Sequence, residues 1–213
     1  YTNLYFEVQI LDILSMSKVK NTPKVLGLDV STKTIGWALF DMQTQELLEL
    51  THFSPKIKPT PETKLEEMMA KANQFRDKII DYSNFGITKV IIEEPLINSN
   101  NIRTVATLMR YNSFITRIIY DVLDILPEFI STYDSRKYAF PELYTENKKG
   151  KKVLFGAHEK GCDKKHIIWK KVSDKEAHLS WMYTRNNTLK KENYDMCDAY
   201  TCVLGQMHKI NIW

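Results

Sequence analysis

Hydrophobic and polar positions alternate along this chain in two rhythms, one of strands and one of helices. Val25, Leu26, Leu28 and Val30 form a short apolar run that predicts a strand buried on both faces. Ser31 to Thr34 is polar and turn-forming. Thr34 to Phe40 predicts a second strand, with Gly36 near its start, where a side chain would crowd a neighbouring backbone. Glu46 to Phe53 predicts a third strand and completes an antiparallel meander. Pro55, Pro59 and Pro61 then break the chain before a helix over Glu62 to Tyr82. In that helix Leu65, Met68, Met69, Ala72, Phe75 and Ile79 recur at three- and four-residue steps and predict one apolar face.

Asn84 and Gly86 end the helix, and Lys89 to Glu94 predicts a buried strand closing on two acids and Pro95. A strand that follows a crossover helix pairs parallel to an existing one. Asn98 to Asn101 offers helix caps. The next helix should run from Asn101 to about Leu126. Val105, Met109, Ile115, Ile119 and Val122 should face inward, while Ile102, Leu108, Phe114 and Ile118 extend its apolar surface. Pro127 closes that helix and Glu128 to Tyr133 predicts a fifth strand. Pro141 to Lys171 is the least regular stretch, followed by a helix carrying Trp169, Val172, Ala177, Leu179 and Trp181. The last helix, about Asn193 to Lys209, has Met196, Ala199, Tyr200, Val203 and Met207 on its apolar side. This order predicts an α/β fold: a mixed five-stranded sheet, three antiparallel strands then parallel ones, flanked by helices.

Composition sharpens the picture at three points. The 213 residues suit one domain over 24–213 with an insertion at about 141–191, and 43% hydrophobic with 26% charged residues is a globular balance. No apolar run approaches the roughly 18 residues that cross a bilayer. Three cysteines argue against a disulfide framework and for a reducing, intracellular setting. The net charge of +4 is unevenly spread. Lys148 to Lys171 holds nine lysines against Glu159 and Asp163, a local +7 that leaves −3 for the rest. Residues 1–23 read as a leader. Within it Met16 would serve as a native start, and Asn3 to Phe6 resembles a protease-site linker.

The chemistry lies in the acids. Asp29 sits within the first apolar run, Glu93 and Glu94 end the fourth strand, and Asp195 and Asp198 lie three apart near the start of the last helix. Each has an ordinary structural explanation, Asp29 as a turn cap and the helical pair as partners of the helix dipole. Taken together they fall at element ends that can converge. Carboxylates held close together repel unless divalent cations lie between them. Oxygen donors without His or Cys select Mg²⁺, with Mn²⁺ as a substitute. Two such ions about 3.5–4 Å apart can activate water and steady the leaving oxygen of a phosphodiester.

The segments GLDVSTKTIGWALF, IIEEP and DMCDAYTCVLG, in that order, resemble the RuvC-type Holliday junction resolvases of the RNase H-like superfamily. The resemblance covers Lys24 to about Tyr138 and Tyr194 to His208. It implies an RNase H-like fold and a dimeric, Mg²⁺-dependent endonuclease that nicks four-way DNA junctions symmetrically in a DNA-containing compartment. By position it implies Asp29, Glu93, Asp195 and Asp198 as catalytic and metal-binding residues. Glu94 stands where bacterial members usually have Gln, which leaves the choice between the two glutamates open. The long segment from Pro141 to Lys191 has no counterpart motif, an elaboration of the kind common in phage-encoded relatives. Its Lys148, Lys149, Lys151, Lys152, Lys164, Lys165, Lys170 and Lys171 are the candidate DNA contacts.

Two rival functions share these features. A junction-binding module would carry the acids as structural groups. An ATPase of the actin or sugar-kinase type shares the first hairpin, but it needs two such domains and a second phosphate loop. His158, Cys162 and His166 recur at four-residue intervals like zinc ligands, without an evident fourth, and Gly161 interrupts them. The four tryptophans read as packing groups, with Trp169 beside Lys170 and Lys171 placed to stack on DNA.

Overall fold

The computed structural model describes residues 22–58, 61–95, 101–147, 150–154 and 163–213. Most of the leader, Lys148, Lys149, His158 and Cys162 lie outside the described residues. The chain runs β1 (Lys24–Val30), β2 (Ile35–Asp41), β3 (Leu47–Phe53), α1 (Lys64–Ile80), β4 (Ile87–Glu93), α2 (Ile102–Leu123) and β5 (Glu128–Ile130). It continues through α3 (Thr132–Ala139), the hairpin β6 (Tyr144–Glu146) and β7 (Lys152–Leu154), α4 (Lys164–Lys175) and α5 (Glu192–Lys209).

The five main strands lie in the order β3-β2-β1-β4-β5. β1 pairs antiparallel with β2, and β2 with β3, whereas β4 joins β1 and β5 joins β4 in parallel. This is the mixed sheet that the sequence predicts. Strand alternation divides its side chains between two cores. Leu26, Leu28, Val30, Trp37, Leu39, Val90 and Ile92 pack with Phe75 and Ile79 of α1 and Tyr111, Ile115, Ile118 and Ile119 of α2. Val25, Ala38, Phe40, Ile91 and Ile130 pack under α5, with Ile168 and Val172 of α4 beside it.

Several boundaries and faces differ from expectation. The fifth strand stops at Ile130, because Ser131 caps a helix by accepting a hydrogen bond from the Asp134 amide, and α3 follows. The stretch from Pro141 to Lys171 is more regular than its composition suggests, with a short 3-10 turn, the β6–β7 hairpin and the start of α4. That helix ends at Lys175, before Ala177, Leu179 and Trp181. Leu65 and Met69 of α1 and Met109 of α2 are exposed, and Ile118 is buried. The apolar stripe of α2 is rotated towards Tyr111 and Ile118, the side that meets the sheet and α1.

Candidate active site at the carboxyl edge of the sheet

Two glycines decide how closely α5 can approach the sheet. On β1, Gly27 shares a face with Asp29. A Cβ on Gly27 would lie 2.4 Å from the Ala199 carbonyl oxygen, and one on Gly36, the β2 partner of Asp29, would lie 2.0 Å from that of Asp195. Any side chain at either place would hold the helix off. With neither present, the first turns of α5 settle against β1 and β2 and bring their acids over Asp29. Glu93 ends β4, the parallel neighbour of β1, and so reaches the same edge.

Carboxylate oxygens of Asp29, Glu93 and Asp198 all lie within 4.8 Å of one another. Three elements distant in sequence thus supply three acids to one place. Asp195, one helical turn before Asp198, stands beside this trio and not within it. Its Oδ1 lies 3.9 Å from the Lys165 ammonium. Glu94 is exposed on the other side of the strand end, where it lines an apolar groove with Met109, Tyr120 and Phe129.

Mutual repulsion and burial mark the cluster. Burial, then the charges of Glu93, Asp198 and Asp195, push the Asp29 carboxyl well above its ordinary value. Burial, then Asp198, pushes Glu93 up to about 7, although the Thr132 hydroxyl donates to its Oε1. Burial likewise pushes Asp195 up to about 6. Two cations offset the negative charge. Arg136 of α3 donates to Asp198 Oδ1 from Nη2 at 2.6 Å and from Nε at 3.2 Å. Lys165 of α4 reaches Asp198 Oδ2 at 3.1 Å. Burial opposes both positive charges, but the Asp198 carboxylate outweighs it, and both groups are held above their ordinary values.

Thr132 and Arg136 were not legible as site residues, because both lie on α3. The signal that could have found them is the cap, Ser131 followed three residues later by Asp134. Of the insert lysines, Lys165 faces the acids, and Lys151, Lys152, Lys164 and Lys170 are exposed. Lys171 is paired with Glu142 at 3.0 Å. His166 rests its ring on Trp169, with Nδ1 3.4 Å from the Tyr194 hydroxyl. Trp169 is partly buried against Trp181 and the α5 core.

The residues fit divalent metal. Every donor in the trio is a hard oxygen, and a divalent ion would favour the charged form of carboxyls that burial and their neighbours hold above their ordinary values.

The sequence matches no protein-family model and no curated protein. Solved structures do match. Thermus thermophilus RuvC in complex with a Holliday junction substrate aligns with a TM-score of 0.58 and 8% identity, over 88% of this chain and 94% of that one. A second T. thermophilus RuvC structure gives 0.53 and 10%, over 88% and 95%. The chain has a RuvC-like, RNase H-like fold. Both neighbours are proteins of a bacterium, so the phage source suggested by the long insert gains nothing from them.

Proposed function

We propose that this protein is a metal-dependent endonuclease that resolves four-way DNA junctions by hydrolysing paired phosphodiesters. The observation that carries the reading is the convergence of Asp29, Glu93 and Asp198 within 4.8 Å at the carboxyl edge of this sheet. The fold it stands in is shared with a protein solved on a Holliday junction. Asp29, Glu93 and Asp198, with Asp195 alongside, would hold two Mg²⁺ or Mn²⁺ ions. Such ions lower the pKa of bound water and neutralise charge on a phosphodiester in in-line displacement. The chain's own groups set the stage: Thr132 orients Glu93, and Arg136 orients Asp198. The exposed lysines of the insert would hold DNA phosphates against the repulsion of four acids.

Symmetric cleavage calls for two sites related by a two-fold axis, hence a homodimer. Ile102 and Met109 of α2, 83% and 50% exposed, support that helix as the shared surface. Static light scattering should give twice the 25.0 kDa chain mass. A purely junction-binding protein and an ATPase are the rival readings, and one experiment separates all three. A labelled four-way junction, a duplex and a single strand are incubated with protein, with and without Mg²⁺. Paired nicks in the junction alone, lost in EDTA and in Asp29→Asn or Glu93→Gln but kept in Glu94→Gln, are expected. Full nicking by Asp29→Asn, or in excess EDTA, would refute the proposal. Binding without cleavage would favour the module.

A further inference from the structure

Both oxygens of Asp198 are already occupied by cations of the chain itself, Oδ1 by Arg136 and Oδ2 by Lys165. A carboxylate offers about four acceptor sites, of which Arg136 takes two and Lys165 one, so a metal ion reaching Asp198 must lie against one of these cations and repel it. Arg136 is poorly placed to leave. Its side chain is 11% exposed, and α3 is pressed onto α5 at Gly205, where a Cβ would lie 2.2 Å from the Ser135 carbonyl oxygen. Lys165 differs in both respects. Its side chain is 47% exposed, and a four-carbon stem links the ammonium to a backbone that need not follow it. The backbone is fixed separately, because Asp163 caps α4 by accepting from the Lys165 and His166 amides. The side chain can therefore swing out while the helix stays.

We propose that Lys165 is a resident counter-ion of the acidic cluster, displaced from Asp198 when a divalent cation binds. This rests on the reading of the acids as metal ligands and goes beyond it by coupling metal loading to the basic insert. A divalent ion among the oxygens of Asp29, Glu93 and Asp198 would be attracted by these carboxyl groups and would repel the Lys165 ammonium held at the same place. The displaced ammonium then stands at the rim beside exposed Lys164, where it meets a DNA phosphate. Metal thus enters first, and its entry adds a cation to the DNA-binding rim.

The test uses the whole protein, without DNA. Mn²⁺ binding is followed by electron paramagnetic resonance for wild type, Lys165→Met and Lys164→Met. Methionine keeps most of the stem and removes the charge. Lys165→Met should bind Mn²⁺ roughly fivefold to tenfold more tightly, as expected for loss of one partly screened competing charge. Lys164→Met should match wild type. A second readout is the rate of amine acetylation, resolved by peptide mass spectrometry. Saturating Mn²⁺ should speed modification of Lys165 severalfold and leave Lys164 unchanged. Unchanged or weaker Mn²⁺ affinity in Lys165→Met, or Lys165 acetylation indifferent to metal, overturns the displacement while leaving the acids as metal ligands. No Mn²⁺ binding by either wild type or variant overturns both readings. Binding by Lys165→Met alone would also overturn the displacement, because Lys165 would then exclude the metal and not yield to it.

Discussion

Replacing Gly36 with alanine tests whether the site depends on the close approach of α5 to β2. The new Cβ would sit 2.0 Å from the Asp195 carbonyl oxygen, 2.5 Å from its carbon and 3.1 Å from the Met196 nitrogen. All three are backbone atoms, so no side chain can rotate away. Reaching an ordinary contact of 3.4 Å requires the first turns of the helix to lift by about 1.4 Å. Overpacking of this kind costs roughly 1–3 kcal/mol. For a chain of this size that is a fall in melting temperature on the order of 3–9 °C. The lift also moves Asp195 and Asp198 away from Asp29 and Glu93, which stay on their strands. Misplacement of about 1 Å can cost on the order of a hundredfold in rate, and Mn²⁺ affinity should fall with it. Ile79→Ala is the control. Ile79 is fully buried on α1, against the opposite face of the sheet, and its truncation should cost about 2–5 kcal/mol by leaving a cavity. The control should lose stability and keep Mn²⁺ affinity, whereas Gly36→Ala should lose both. Wild-type Mn²⁺ affinity in Gly36→Ala would refute the idea that this contact sets the site.

Two further outcomes follow from charge. The raised carboxyls of Asp29, Glu93 and Asp195 keep protons that the unfolded chain releases at ordinary values, so metal-free stability should fall as pH rises from about 4.5 to 7. Asp41, Glu67, Glu128 and Glu142 are lowered and act in the opposite sense, but their window lies below about pH 4.5. Melting temperatures measured across pH 4.5–7 should decline without metal and flatten with saturating Mg²⁺; a metal-free curve that rises would contradict the cluster's electrostatics. Replacing Lys148, Lys149, Lys151 and Lys152 with Gln should weaken junction binding and lower the slope of log K against log salt by about 0.9 per lost contact, with little change in melting temperature. Wild-type affinity and slope would assign the DNA grip to other residues.

The sequence alone determined the sheet and its likeness to the junction resolvases, because strand alternation, helix periodicity and Pro or Gly breaks are local signals. GLDVSTKTIGWALF, IIEEP and DMCDAYTCVLG carried the acids as far as a set of candidates. The sequence could not choose between Glu93 and Glu94, since a period of two says only that they face opposite ways. The choice of face belongs to α5, which covers the side shared by Gly27, Asp29 and Glu93 and is admitted there by Gly27 and Gly36. The stripe of α2 was legible as a stripe, but its rotation, which buries Ile118 and exposes Met109, is set by packing against α1 and the sheet. Arg136 and Lys165 were the least legible. Each meets Asp198 across a long separation in sequence, 62 residues for Arg136, and a charge pair at that range leaves no periodic trace in the chain. Tertiary structure alone decides which lysine of a basic run turns inward to the acids and which stay at the surface.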